Sequence, residues 1–320
     1  MVLPPLPPDP YELLPMPAVG AIQIAAIVSR HRLEPDGPVE PIPSTGVVHS
    51  LWALGSAMVL RVPKNEAMCL GDHRCEAAAI PLARAAGVRT PDLLVFDDSH
   101  DVLDVPFTVV ERVHGNDLLA IRPGHEEHDS FYRRLGEQLG VLHVATPPAE
   151  APPEFRSGEH DPPQRFFDDA LAAATMNHDG IEWMRRLCER LDGAIAASPS
   201  VPRRVIHNDV KPDNAMVDRN GDVHLIDWGD AAIGDPVHDF HSLPLRSVVA
   251  ALDGYRTVTE PDPAFGPRLV RRLIARSLYN LRRTPLPGPS WYRPSAATIT
   301  DMLTFAVDHP DIWRTWCDGD

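Results

Sequence analysis

The residues best suited to chemistry are concentrated between positions 205 and 240. The run Val205-Ile206-His207-Asn208-Asp209-Val210-Lys211-Pro212-Asp213-Asn214 contains His-x-Asp-x4-Asn. Leu225-Ile226-Asp227-Trp228-Gly229-Asp230 follows, with Asp227 thirteen positions beyond Asn214. Moving a phosphoryl group from a nucleotide asks for little covalent help. It asks for a hydroxyl held in line and for neutralised phosphate charge. Asp209 can accept a hydroxyl's hydrogen bond and then its proton. Asn214 offers a neutral oxygen and Asp227 a charged one, the hard donors that Mg²⁺ takes. Asp and Asn also favour ordinary turns, so the surrounding elements must be right for this reading to hold.

The elements around the segment have the required order. Val205-Ile206, Ala215-Met216-Val217 and Val223-His224-Leu225-Ile226 read as short strands, and Asn220-Gly221 is a hairpin signal that folds Asn214 and Asp227 toward each other. Upstream, Val47 to Leu54, Met58 to Val62, Leu93 to Phe96 and Phe107 to Val110 read as strands. Between them, the alanine-rich stretch Arg74 to Ala86 reads as a helix ending at Gly87. Ala21 to Leu33 reads as a further short helix. After residue 113 helical spacing dominates: Phe131, Leu135, Leu139 and Leu142 mark one core helix, and 165–176, 181–197, 243–252, 267–282 and 295–307 read as others. Prolines crowd 4–17, 35–43, 147–153 and 285–294 and read as extended connectors. The expected fold class is α+β with two lobes: a small antiparallel-sheet N-lobe and a larger helical C-lobe. The expected division is a Pro-rich arm with a short helix at 1–41, a nucleotide-binding N-lobe at 42–113 and a helical C-lobe at 114–320.

The pattern His207-x-Asp209-x4-Asn214 followed by Asp227-Trp228-Gly229 resembles the catalytic and metal-binding loops of the protein-kinase-like fold. Ile206-His207-Asn208-Asp209 and Gly234-Asp235-Pro236-x-x-Asp239 are closer to the aminoglycoside phosphotransferase and choline kinase branch, which phosphorylates small molecules. The resemblance runs from about Ile42 to Phe240. It implies a cofactor, ATP or GTP, with Mg²⁺ held by Asn214 and Asp227, and Asp209 as the catalytic base. Arg61 stands where the family has a phosphate-clamping lysine; an arginine can still grip phosphate oxygens bidentately, and Lys64 is the alternative cation. The resemblance implies that Glu76 pairs with that cation. It implies that Glu111 and Val113 lie in the hinge that meets the adenine and that Gly46 covers the phosphates. Lys211 either touches the γ-phosphate or faces solvent. His207 and Asp239 are expected to brace the loop.

The stretch after Asp227 argues for a small acceptor. Gly234-Asp235-Pro236 follows almost at once, and no Ala-Pro-Glu closes a long activation segment. The formal charge of −15, from 30 Lys+Arg against 45 Asp+Glu, argues against nucleic acid as a partner. It suits a cationic acceptor such as an aminoglycoside-like resistance substrate. Candidate carboxylates for it are Asp168, Asp169, Asp230, Asp308, Asp318 and Asp320. A metabolic acceptor (choline, an amino sugar, homoserine) or a macrolide is the alternative, and a nucleotide-binding pseudokinase is the alternative of another class. Retention of Asp209, Asn214 and Asp227 favours turnover. No apolar run approaches the roughly 20 residues of a membrane span, and Met1 to Pro8 does not read as a secretion signal. Four cysteines with no C-x-x-C pair give an expectation of reduced thiols and a cytoplasmic location. Oligomeric state is left open.

Overall fold

The structure is a computed structural model that describes residues 15–43, 48–121, 127–159, 162–172, 177–280 and 295–318. The first part is a five-stranded sheet. Helix α1 (Ala21–Arg30) leads into β1 (Val39–Pro41), β2 (His49–Leu54) and β3 (Met58–Pro63). Helix α2 (Ala67–Ala85) follows, then β4 (Leu93–Asp97) and β5 (Phe107–Glu111). The strand order is β1-β2-β3-β5-β4, antiparallel throughout. Alternation along Met58-Val-Leu-Arg-Val puts Leu60 and Val62 into a fully buried face with Ile27, Leu54, Phe107 and Val109. The same alternation turns Arg61 to the other face, toward the second lobe.

The described part of the 1–41 arm is not separate from this lobe. Strand β1 pairs with β2 from Val39 opposite Leu54, and Val19, Ile24 and Ile27 of the α1 region are buried against the sheet. Helix α2 begins seven residues before its expected start at Arg74. The Glu66 side chain caps it, accepting from the Met68 and Cys69 amides at 2.8 and 3.2 Å. Gly71 and Asp72, poor helix formers, hide this first stretch from a propensity reading.

The second lobe opens with β6 (Gly115–Asp117) and α3 (His128–Val144), then β7 (Arg156–Gly158), α4 (Gln164–Ala172) and α5 (His178–Ala197). Strands β8 (Arg204–Ile206), β9 (Ala215–Asp218), β10 (Val223–Leu225) and β11 (Ala232–Gly234) carry the central segment. Helices α6 (Leu245–Arg256), α7 (Phe265–Asn280), α8 (Ser295–Asp308) and α9 (Pro310–Asp318) complete it. The three-residue strands β1, β6, β7 and β11 are too short to show a two-residue period, so the sequence reading does not contain them. Phe131, Leu135, Leu139 and Leu142 all lie in the core. Helices α3 and α6 cross at two glycines. A Cβ at Gly136 would strike the Ala251 carbonyl, and one at Gly254 the Arg133 carbonyl. Side chains of α2, including Ile80 and Ala83, join the same core as the helical lobe, so this helix ties the two lobes together.

Candidate active site

The central segment is held by backbone pairing and one buried carboxylate. The hairpin of β9 and β10 pairs Ala215 with Leu225, and Gly221 at its tip has φ +79°. The Ile226 amide donates to the Asn214 carbonyl at 3.0 Å, tying the two loops end to end. Asp239, fully buried, accepts from the His207 amide at 3.0 Å, the Asn208 amide at 2.6 Å and His143 Nε2 at 2.9 Å. His207 Nε2 lies 2.9 Å from the Ile226 carbonyl, and its ring packs on Trp228 at 4.5 Å between centroids. Trp228 in turn donates to Thr90 Oγ1 at 2.9 Å. Asn208 and Asp227 both have φ +66°, the left-handed region that Asn and Asp tolerate best among non-glycine residues. Such conformations persist only where surrounding bonds over-determine them. Asp239 supplies that constraint at Asn208.

Two groups of charge face each other across the site. In the loop, Lys211 Nζ is 2.7 Å from Asp209 Oδ2, and Asn214 Nδ2 donates to the Asp209 carbonyl and to Oδ2, each at 2.9 Å. From the sheet, Arg61 Nη2 reaches Glu76 Oε2 of α2 at 2.9 Å and Asp227 Oδ1 at 3.1 Å. One guanidinium thus serves two carboxylates. Burial opposes ionisation of Asp227, but Arg61 and then Lys211 hold it below the ordinary carboxylate range. Glu76 is pushed up to about 7 by burial, against the pull of Arg61. Burial also works against the cations, yet Glu76 and Asp227 hold Arg61 above its ordinary value and Asp209 does the same for Lys211. His49, His73 and Glu76 offer ligand atoms within 4.8 Å of one another. Arg61 Nη2 lies 3.3 Å from His49 Nδ1, so positive charge already occupies that corner.

The donor set suits a hard cation. With its Nδ2 turned to Asp209, Asn214 presents its carbonyl oxygen on the other side. Asp227 keeps a second carboxylate oxygen beyond the one that Arg61 takes. Oxygen donors of this kind fit Mg²⁺ and not a soft metal.

The expected residues Asp209, Lys211, Asn214 and Asp227 come together, with Arg61 and Glu76 beside them. The Arg61–Glu76 pair makes Arg61, not the alternative Lys64, the partner of that glutamate. Glu111 is exposed and its carboxylate accepts from the Asp92 amide at 3.3 Å; Val113 follows on the same connection. Gly46 lies outside the described residues. A cavity of about 400 Å³ adjoins the loop at Lys211, Pro212 and Asp213. Its far wall includes Tyr132, Arg246, Asp301, Phe305 and Asp308. Of the expected acceptor carboxylates, Asp308 lines it. Asp168 pairs with Arg185 at 3.2 Å, Asp318 pairs with Arg190, and Asp230 is exposed. Asp320 and the Asp169 side chain lie outside the described residues. Thr90, Arg246 and Asp301 were not expected. They stand far apart in sequence with no motif around them, and only packing gathers them.

A small antiparallel sheet joined to a helical lobe, with carboxylate-bearing loops facing the sheet's arginine, defines a phosphotransferase with the protein-kinase-like fold. More narrowly, the chain belongs to the phosphotransferase enzyme family designated APH, whose model matches residues 46–284. Solved structures agree on the fold. The GDP complex of aminoglycoside 2'-phosphotransferase-IIIa is 17% identical with a TM-score of 0.56, covering 89% of this chain and 99% of that one. Macrolide 2'-phosphotransferase MphH from Brachybacterium faecium is 17% identical, TM-score 0.57, covering 92% and 96%. A choline/ethanolamine kinase family protein from Mesorhizobium loti is 22% identical, TM-score 0.51, covering 93% and 92%. No curated protein matches the sequence.

Proposed function

We propose that this phosphotransferase moves the γ-phosphate of ATP or GTP to a hydroxyl of a small molecule seated in the cavity beside residues 211–213. The observation that carries the reading is the placing of one carboxylate, Asp209, on a braced loop whose next residues form the cavity wall, with the oxygen donors Asn214 and Asp227 behind it. In this reading Asp209 orients the acceptor hydroxyl and takes its proton. Arg61, held by Glu76, grips phosphate oxygens, and Lys211 offers a second cation near the transferred group. Asn214 and Asp227 would hold Mg²⁺, which would supply neutralisation of triphosphate charge. The hinge at Glu111 and Val113 meets the base.

Structures of similar fold include complexes with GDP and with kanamycin, and a streptomycin–ATP complex, which support nucleotide use and a small acceptor. A polycationic antibiotic remains the acceptor suggested by net charge, and Asp301 and Asp308 would receive its ammonium groups. Among the described residues no helix is long and apolar enough to cross a membrane, and the four cysteines are buried free thiols. Free thiols support the cytoplasmic reading.

The test is direct. The purified chain is incubated with Mg²⁺, labelled ATP or GTP, and a panel of hydroxylated amines, sugars and antibiotics. Labelled phosphate should appear on an acceptor, and Asp209→Asn should suppress it. Nucleotide that neither binds nor turns over in the wild-type protein would refute the reading.

A further inference from the structure

The cavity wall does not repeat the acidity of the whole chain. Six charged side chains line it and they balance: Lys211, Arg246 and Arg276 against Asp213, Asp301 and Asp308. Four of them are engaged. Lys211 is paired with Asp209, Arg276 donates to Ser242 Oγ, and Asp213 and Asp301 have partners of their own. Among the described residues, Arg246 and Asp308 take part in no ion pair or side-chain hydrogen bond, and both are exposed.

Their positions make the two charges unusual. Arg246 is the second residue of α6, a twelve-residue helix. Asp308 is the last residue of α8. A helix N-terminus carries partial positive charge and a C-terminus partial negative charge, so each side chain sits at the helix end of its own sign. Neither placement helps its helix. Pro244, the N-cap of α6, makes no side-chain capping bond, and the first turn of the helix carries no acidic residue. A neighbouring cavity of about 320 Å³ shares Arg246 and adds the exposed guanidinium of Arg133. It also brings Asp129 and Asp253, but these are within pairing distance of His128 (3.1 Å) and Arg256 (3.3 Å). The cavity wall therefore offers one uncommitted charge of each sign, Arg246 for an anion and Asp308 for a cation.

We propose that the acceptor is a hydroxylated zwitterion. Its carboxylate would seat at Arg246 and the N-terminus of α6, its ammonium at Asp308 and the C-terminus of α8, and its hydroxyl toward Asp209. The proposal rests on the reading of this cavity as the acceptor's seat. It differs from the polycationic reading in requiring a negative group on the acceptor.

Matched acceptors that differ by one carboxylate test it: homoserine against 3-aminopropanol, and serine against ethanolamine, with kanamycin as the polycation. Full-length protein is assayed with Mg-ATP and Mg-GTP, following nucleoside diphosphate release and the phosphorylated product by ³¹P NMR. A charge-assisted hydrogen bond predicts kcat/KM about 10- to 100-fold higher for the carboxylated member of at least one pair. Arg246→Gln should raise KM for that member about tenfold or more, with a much smaller change in kcat, and should erase its advantage over the amine. Asp308→Asn should raise KM for both members of the pair. Preference for kanamycin or for the uncarboxylated amines overturns the proposal. So does an unchanged KM in Arg246→Gln, or turnover of no pair by a protein that binds and hydrolyses nucleotide. Loss of nucleotide binding and hydrolysis in the wild-type protein would instead overturn the phosphotransfer reading, and the proposal with it.

Discussion

Asp239 is the residue whose loss the structure makes most costly outside the reacting groups. Its Oδ2 accepts from the His207 amide and His143 Nε2, and its Oδ1 accepts from the Asn208 amide. Asparagine keeps the shape but only one acceptor oxygen. If that oxygen serves His207 and His143, the new NH₂ group meets the Asn208 amide donor to donor. The substitution then loses one bond to a charged acceptor and leaves a buried N–H unsatisfied, together about 3–5 kcal/mol. For a domain of this size that corresponds to a fall in Tm of about 6–15 °C. Asn208, at φ +66°, would lose the bond that fixes it, and Asp209 is the next residue. A misplacement of about 1 Å costs about 100-fold in rate, so kcat in Asp239→Asn should fall about 10- to 100-fold. Nucleotide Kd should change far less, because Asp239 lies behind the loop. Differential scanning calorimetry, steady-state kinetics and a nucleotide-binding titration measure the three quantities. A Tm within about 2 °C of wild type, with kcat within threefold, would refute the bracing role.

Other outcomes follow from the same geometry. Asp209→Asn should lower kcat about 10²- to 10⁴-fold, the range for a positioned acid–base group, with nucleotide affinity little changed in a fluorescence titration. Asp227→Ala should abolish transfer and resist rescue by added Mg²⁺, whereas Asn214→Ala should be milder and partly rescued, as a Mg²⁺ titration of rate would record. Arg61→Ala removes the ion-pair partner of buried Glu76, and thermal unfolding should register about 3–5 kcal/mol of lost stability, with Arg61→Lys in between. The His73 imidazole is pushed down to about 3 by burial and then by Arg61, against an ordinary value of 6.5. The unfolded chain therefore binds the extra proton first, and stability should fall as pH drops from about 6.5 toward 3, by up to about 1.4 kcal/mol per unit. His73→Gln should flatten that slope in urea titrations across the range.

How much was legible in the sequence depended on the distance along the chain between interacting groups. His207, Asp209, Asn214, Asp227 and Asp239 lie within one short stretch, closed by the Asn220-Gly221 turn. Turn chemistry and strand pairing are local, so residue spacing alone brings these groups together. The apolar period of α3 is likewise local, and its core face was readable. The order of a sheet-rich part followed by a mainly helical part was also readable, because the apolar patterns that mark them are local. What the chain folds over long range was another matter. Arg61 meets Asp227 across 166 positions, and nothing near either residue encodes that one guanidinium serves both Asp227 and Glu76. The attachment of β1 and α1 to the sheet depended on a three-residue pairing too short to leave a pattern. The charge of the cavity was decided by packing alone. The chain carries fifteen more acidic than basic side chains, yet the wall gathers equal numbers of each, because composition counts every residue while only four helices and the loops beside them supply that surface. Arg246 and Asp308 acquire their opposed roles from the helix ends on which tertiary structure sets them.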